Sequence, residues 1–184
     1  MKEIRMHGRG GQGVVKSAQV IVQTVVASGK YAHFIPFFGV ERKGSPVYGF
    51  LRIDDQDIKL KCQVYEPEIL MILDDTLLDM KATFEGLRPG GTIILNTTKS
   101  QDQLNLPETG GQLALVDATC IALEQLGRNI PNTAMLGAFA KATGLVDWDG
   151  LQNQIQIAFG EKNVKAAQAA YEMVAVKPFK GGAK

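Results

Sequence analysis

Cysteine is scarce: Cys62 and Cys120 are the only two among 184 residues. Without a C-x-x-C pair, the chain alone cannot hold a four-cysteine iron–sulfur cluster or a cysteine-rich zinc site. Two distant thiols read as free thiols of a cytoplasmic protein rather than a disulfide. An excess of either charge is also missing. Twenty Lys and Arg against nineteen Asp and Glu leave +1. That balance argues against a nucleic-acid or membrane-surface binder, since those carry a large basic excess. No run approaches the ~18 apolar residues of a membrane-spanning helix. The opening MKEIRMHGRG also lacks the apolar centre of a secretory leader. These absences predict a cytoplasmic protein, and the length suits one domain with a substantial core.

The glycines present are unevenly placed. Residues 8–13 spell G-R-G-G-Q-G. They follow a short strand, KEIRMHG, and open a helix whose apolar Val14, Ala18, Ile21, Val22 and Val25 recur every three or four residues. Gly8, Gly10 and Gly13 fit G-x-G-x-x-G, the dinucleotide-binding spacing. Glycines let a backbone approach a ligand closely, and the helix N-terminus offers free N–H groups and a positive dipole end to an anion. A turn that binds nothing is the plainer alternative, although four glycines in six residues exceed what a turn needs. The dinucleotide reading lacks its second half. No acidic residue lies between Glu3 and Glu41 to hold a ribose, and no arginine lies between Val14 and Val40 for a 2′-phosphate. Nor is there a G-x-x-x-x-G-K-[ST] phosphate loop.

Further along, YAHFIPFF reads as a second strand, weakened by Pro36. VYGFLRID and DIKLKCQVY alternate across DDQD and predict a β-hairpin. EILMILDD and GTIILN are apolar enough for strands covered on both faces. TLLDMKATFEGL between them predicts a helix, and QLALVD a further strand. From Ala118 the pattern is helical, and VKPFKGGAK is expected to be a mobile tail. The fold class predicted is α/β: a doubly wound, Rossmann-like sheet with an inserted β-hairpin and a helical C-terminal cap. Ligands of such sheets bind beyond the carboxyl ends of the strands. That edge would carry the glycine loop, Asp74, Asp75, Asn96 and Asp117. Asp75 is the expected N-cap of TLLDM, and His7 and Asn132 suit structural or capping work. Between two glycines, Glu41, Arg42 and Lys43 form a charged loop. It is either simply solvated or able to clamp phosphates through Arg42 and Lys43. No nucleophile–base set or metal cluster is visible, so no catalytic or metal-ligating residue is expected.

In order, HGRGGQG, FFGVERKGSPVYGFLRI, LRPGGTIILN and PNTAMLGAFAKATG resemble the γ subunit of 2-oxoacid:acceptor oxidoreductases, which include pyruvate:ferredoxin oxidoreductase. The family more often has proline at the place of Val40 and arginine at that of Lys43. The resemblance implies one γ-type domain over 1–184. It implies a complex that oxidises a 2-oxoacid, such as pyruvate or phenylglyoxylate, to an acyl-coenzyme A. Its partners would be α, β and ferredoxin-like subunits, with ferredoxin or another acceptor taking the electrons. Thiamine diphosphate, magnesium and the iron–sulfur clusters would sit on those other chains. Coenzyme A would be bound partly here: Gly8, Gly10, Gly11, Gln12 and Gly13 would approach its phosphates, and Arg42 and Lys43 would reach them from the second loop. Some relatives do not use coenzyme A. The alternatives are a free-standing NAD or flavin oxidoreductase and a scaffold that has lost its ligand.

Overall fold

The computed structural model describes residues 1–37 and 44–180. Seven strands form one mixed sheet: β1 (Lys2–Arg9), β2 (Tyr31–Phe37), β3 (Pro46–Asp54), β4 (Ile69–Ile72), β5 (Thr92–Asn96), β6 (Gly111–Val116) and β7 (Ala175–Phe179). Their order is β2-β3-β1-β4-β5-β6-β7. Strands β1, β4, β5 and β6 are parallel, as expected for an α/β fold. Helices α1 (Val14–Ala27), α3 (Ala118–Leu126), α4 (Asn132–Thr143), α5 (Trp148–Phe159) and α6 (Glu161–Met173) make the C-terminal region helical, with α1 beside it.

Side-chain alternation sends the two faces of each strand into two cores. Ile69 and Met71 of β4 join a large core with α1 and α4, including Val14, Ala18, Ile21 and Val25. Leu70 and Ile72 join a smaller one with Leu77, Leu87 and Phe179. Burying each such side chain is worth about 1.5–3 kcal/mol. Helices thus cover one face thickly. Two short 3₁₀ turns, the one-turn helix α2 (Lys81–Phe84) and loops cover the other.

Three expectations change in detail. The hairpin expected from VYGFLRID and DIKLKCQVY does not form; β3 instead pairs antiparallel with β2, with Phe34 opposite Leu51. DIKLKCQVY forms no strand, because β3 already has β2 on one edge and β1 on the other. Instead the buried Arg52 guanidinium binds the carbonyls of Cys62 (2.7 Å) and Gln63 (3.0 Å), pinning that segment over the sheet. TLLDMKATFEGL breaks at Met80 into a 3₁₀ turn (Asp75–Asp79) and α2. Arg5 Nη2 takes the carbonyls of Ala82, Thr83 and Glu85, acceptors that a continuing helix would have used. The expected mobile tail is, through Phe179, an edge strand antiparallel to β6, held by the buried Phe179 ring. Pro178 is tolerated there because an edge needs fewer donors.

Arg52 also pairs with Glu3 at 2.8 Å, directly across the β1–β3 ladder. Removing one partner of a buried pair leaves the other charge uncompensated. Arg52→Met is therefore expected to lower the unfolding free energy by about 3 kcal/mol, with proteolysis beginning in residues 58–66. Urea melts and limited digestion check both, and a loss confined to a few tenths of a kcal/mol would show the pair to be solvent-screened.

Candidate functional site

Strand β1 runs straight into the glycine loop, and α1 leaves it. The four glycines do different work. Gly8 is needed for packing: a Cβ there would lie 2.5 Å from Val14 Cγ2. The Gly10 N–H donates to the Ser45 carbonyl (2.9 Å), and its own carbonyl accepts from Gly44 N–H (3.2 Å), tying the loop to the start of β3. Gly11 (φ +97°) and Gly13 (φ +84°) occupy the left-handed region that favours glycine. Gly11 is exposed, with nothing within 4 Å of an added Cβ. Among the described residues, the N–H groups of Gly11, Gly13, Val14 and Val15 have no protein acceptor.

Gln12 folds back across the loop. Its Oε1 accepts from the Arg9 N–H, and its Nε2 donates to Asp74 Oδ2, both at 2.7 Å. The sequence reading passed over Arg9, whose guanidinium lies within 3.4 Å of Asp74 Oδ2 and also donates to Thr76 Oγ1. A basic residue inside the glycine motif was the signal available. Burial alone would raise the Asp74 pKa. Hydrogen bonds from Thr76 and Gln12 and the Arg9 charge outweigh it and hold the carboxyl below its usual range. Asp74, not Asp75, caps the 3₁₀ turn through Thr76 N–H.

A second helix begins at the same place. Asn132, the first residue of α4, is buried, and its Nδ2 lies 2.7 Å from the position a Gly13 Cβ would take. Its Oδ1 accepts from Thr133 N–H, and its carbonyl lies 3.4 Å from Ser17 Oγ on α1. The N-termini of α1 and α4 thus converge beside Gly13, a place where both helix ends would favour an anion.

The other predicted edge residues do gather beside the loop. Gln12, Asp74, Asp75, Asn96, Thr97 and Asp117 line a cavity of about 370 Å³ beyond the carboxyl ends of β4, β5 and β6. Their side chains are largely occupied. Asn96 Nδ2 donates to the Leu73 carbonyl and Thr119 Oγ1, Thr97 donates to Asp75, and Asp117 caps α3. Cys120, on the same wall, is a free thiol, its pKa raised by the hydrogen bond and charge of Glu124. His7 is structural: its buried ring accepts from Arg5 Nε at 3.0 Å. Arg42 and Lys43, named above as phosphate ligands, lie outside the described residues, as does Glu41. Among the described residues no three His, Cys, Asp or Glu groups could hold a metal, and no helix is long and apolar enough to cross a membrane.

The sheet order removes the dinucleotide reading's remaining support. The strand after the first helix would have to lie beside β1 and parallel to it. Here β2 is at the far edge, and the place beside β1 is taken by antiparallel β3. The edge that would present a ribose-binding acid is therefore built from a strand of the wrong direction.

Comparison with known proteins fits this geometry. Residues 3–173 match the family model of pyruvate ferredoxin/flavodoxin oxidoreductase. The chain is similar to the pyruvate/ketoisovalerate oxidoreductases common subunit gamma of Thermococcus kodakarensis, at 50% identity over 96% of this chain and 98% of that one. It superposes on pyruvate oxidoreductase subunit PORC of Thermotoga maritima with a TM-score of 0.82 and 34% identity, covering 95% of this chain and 97% of that one. A 2-oxoglutarate:ferredoxin oxidoreductase of Magnetococcus marinus, solved with 2-oxoglutarate, coenzyme A and succinyl-CoA bound, shares the fold. The TM-score is 0.70 at 19% identity, over 93% of this chain and 30% of that one.

Proposed function

Because the chain belongs to the pyruvate ferredoxin/flavodoxin oxidoreductase family, as a γ-type subunit of a multi-subunit 2-oxoacid oxidoreductase, we propose that its glycine loop holds phosphate groups of coenzyme A for that complex. The observation that carries this reading is the convergence of the α1 and α4 N-termini on Gly13, with the neighbouring N–H groups unspent among the described residues. Gly11 and Gly13 would present those N–H groups, and Asn132 Nδ2 would add a side-chain donor. Lys43 directly precedes Gly44, whose N–H is bonded to the Gly10 carbonyl. That link supports giving Arg42 and Lys43 the second set of contacts. A 3′-phosphate calls for positive charge where a dinucleotide ribose calls for an acid, which accounts for the acid missing between Glu3 and Glu41.

The chemistry assigned to this chain is binding and orientation. Holding one reactant in place lowers the entropic barrier of a step completed elsewhere. In the assembled complex, thiamine diphosphate on partner chains would supply decarboxylation, and iron–sulfur clusters would take the two electrons. Coenzyme A would then leave as its acyl thioester. The α, β and ferredoxin-like chains are the proposed partners, in the cytoplasm.

Kinetics of the purified complex test this. Replacing Arg42 and Lys43 together by alanine is expected to raise KM for coenzyme A by about tenfold or more, since each charge-assisted contact is strong. Little change in kcat is expected. Titration with 3′-dephospho-coenzyme A should show a smaller difference between wild type and variant. An unchanged KM would return residues 41–43 to an ordinary solvated loop.

A further inference from the structure

Two arginines are buried on the thinly covered face of the sheet. Arg52 is 1% exposed and has Glu3 as its counterion. Arg5, 7% exposed, has no acidic group within ion-pair distance among the described residues. Its Nε is spent on His7 and its Nη2 on three backbone carbonyls. Its Nη1 makes no hydrogen bond among the described residues. Glu85 acts on Arg5 only from longer range, so among the described residues this buried charge has no ion pair at contact distance, and folded proteins commonly supply one.

Arg5 lies on the wall of a cavity of about 520 Å³, separate from the loop site. Strands β1 and β3 form one side of it, and residues 63–66 and 77–86 form the other. Its apolar lining includes Tyr48, Phe50, Val64, Leu77 and Met80. The volume suits a small organic ligand. A phosphate dianion fits poorly: Arg5 can match one negative charge, while a second would meet a neutral His7 and the carboxylates of Glu66 and Glu85 in the same lining.

We infer that this cavity binds a small monocarboxylate with a flat or branched apolar body, its carboxylate on Arg5 Nη1 and its body against Tyr48 and Phe50. The inference stands apart from the coenzyme A reading, since the two sites share no residue. Planar guanidinium suits a carboxylate, and an aromatic body can pack edge-on against Tyr48, whose ring already stacks with Phe37 and His7.

Phenylacetate is the probe, with phenylacetamide and inorganic phosphate as controls, followed by NMR on the full chain. Phenylacetate should shift resonances of Tyr48 and Met80. Phenylacetamide and phosphate should bind about tenfold more weakly or less, having lost the charge-assisted contact or the apolar one. Equal binding of the amide, shifts confined to the glycine loop, or no shifts at all would overturn the proposal. Met80 is 43% exposed, so Met80→Trp can narrow the cavity without touching Arg5, and it should abolish binding. Undiminished binding by that variant places the ligand elsewhere. The assembled complex should bind phenylacetate as the chain does. If it does not, another subunit covers Arg5, and the free-ligand proposal fails.

Discussion

Gly13→Val is expected to destabilise the chain by about 3 kcal/mol and to raise KM of the complex for coenzyme A by at least about tenfold. Two independent causes combine. Gly13 sits at φ +84°, where a side chain costs about 1–2 kcal/mol, more for a β-branched one. A Cβ would also fall 2.7 Å from Asn132 Nδ2 and 2.9 Å from Asn132 Cβ, an overpacking that adds about 1–3 kcal/mol. Asn132 is buried at the start of α4 and cannot simply swing away. The clash must therefore move α4 from α1 and part the two helix ends proposed to share an anion. Gly11→Val separates the causes. Gly11 has φ +97° but open space around its Cβ, so this variant should show the conformational cost alone, about 1–2 kcal/mol. Urea unfolding of both chains and coenzyme A kinetics of both complexes make the comparison. Equal losses in the two variants would mean that contact with Asn132 contributes nothing.

The same residues show what a sequence can disclose here. The turn chemistry of residues 8–13 is local, so the strand–glycine–helix unit was legible from the glycines and from the helical spacing of Val14, Ala18, Ile21 and Val25. The gathering of Asp74, Asp75, Asn96 and Asp117 followed from parallel strand order alone, and the cavity beyond β4, β5 and β6 holds them. The convergence of α4 on Gly13 was not legible. Asn132 lies more than a hundred residues away, and only tertiary packing joins the two. The covering of the second face was not legible for a related reason. KEIRMHG alternates charged and apolar residues, the usual mark of a half-exposed strand. Arg5 and His7 are nevertheless buried. Long-range partners override the pattern: guanidinium groups capture carbonyls from residues 62–63 and 82–85 and draw those segments over the strand. DIKLKCQVY has the alternation of a strand but meets a sheet whose edges there are already paired, so its pattern finds no ladder to join.

His7 supplies the largest expected effect, through pH. Burial, and then the Arg5 charge beside it, lower its pKa from 6.5 to about 3. In the folded chain the ring accepts from Arg5 Nε at 3.0 Å, so its proton sits on Nδ1, and protonating Nε2 would set two cations against each other. Between pH 6.5 and about 3 the unfolded chain binds a proton at His7 that the folded chain refuses. Stability therefore rises with pH across that window and is lost on acidification, by about 1.4 kcal/mol per pH unit. Across the window this sums to about 4 kcal/mol, a large share of the ~5–15 kcal/mol that holds a domain of this size. Carboxylates such as Asp74, whose pKa is lowered on folding, add a slope of the same sign at the acid end. Wild type alone thus cannot assign the effect. His7→Gln can, because glutamine keeps an acceptor for Arg5 and does not titrate. Its unfolding free energy should fall less steeply from pH 6.5 to 4.5, by about one proton's worth of slope. Parallel curves for the two chains in that interval would show that His7 takes up its proton without unfolding the structure. Arg5 would then have another acceptor within reach, and the buried pair would not govern the acid stability of the chain.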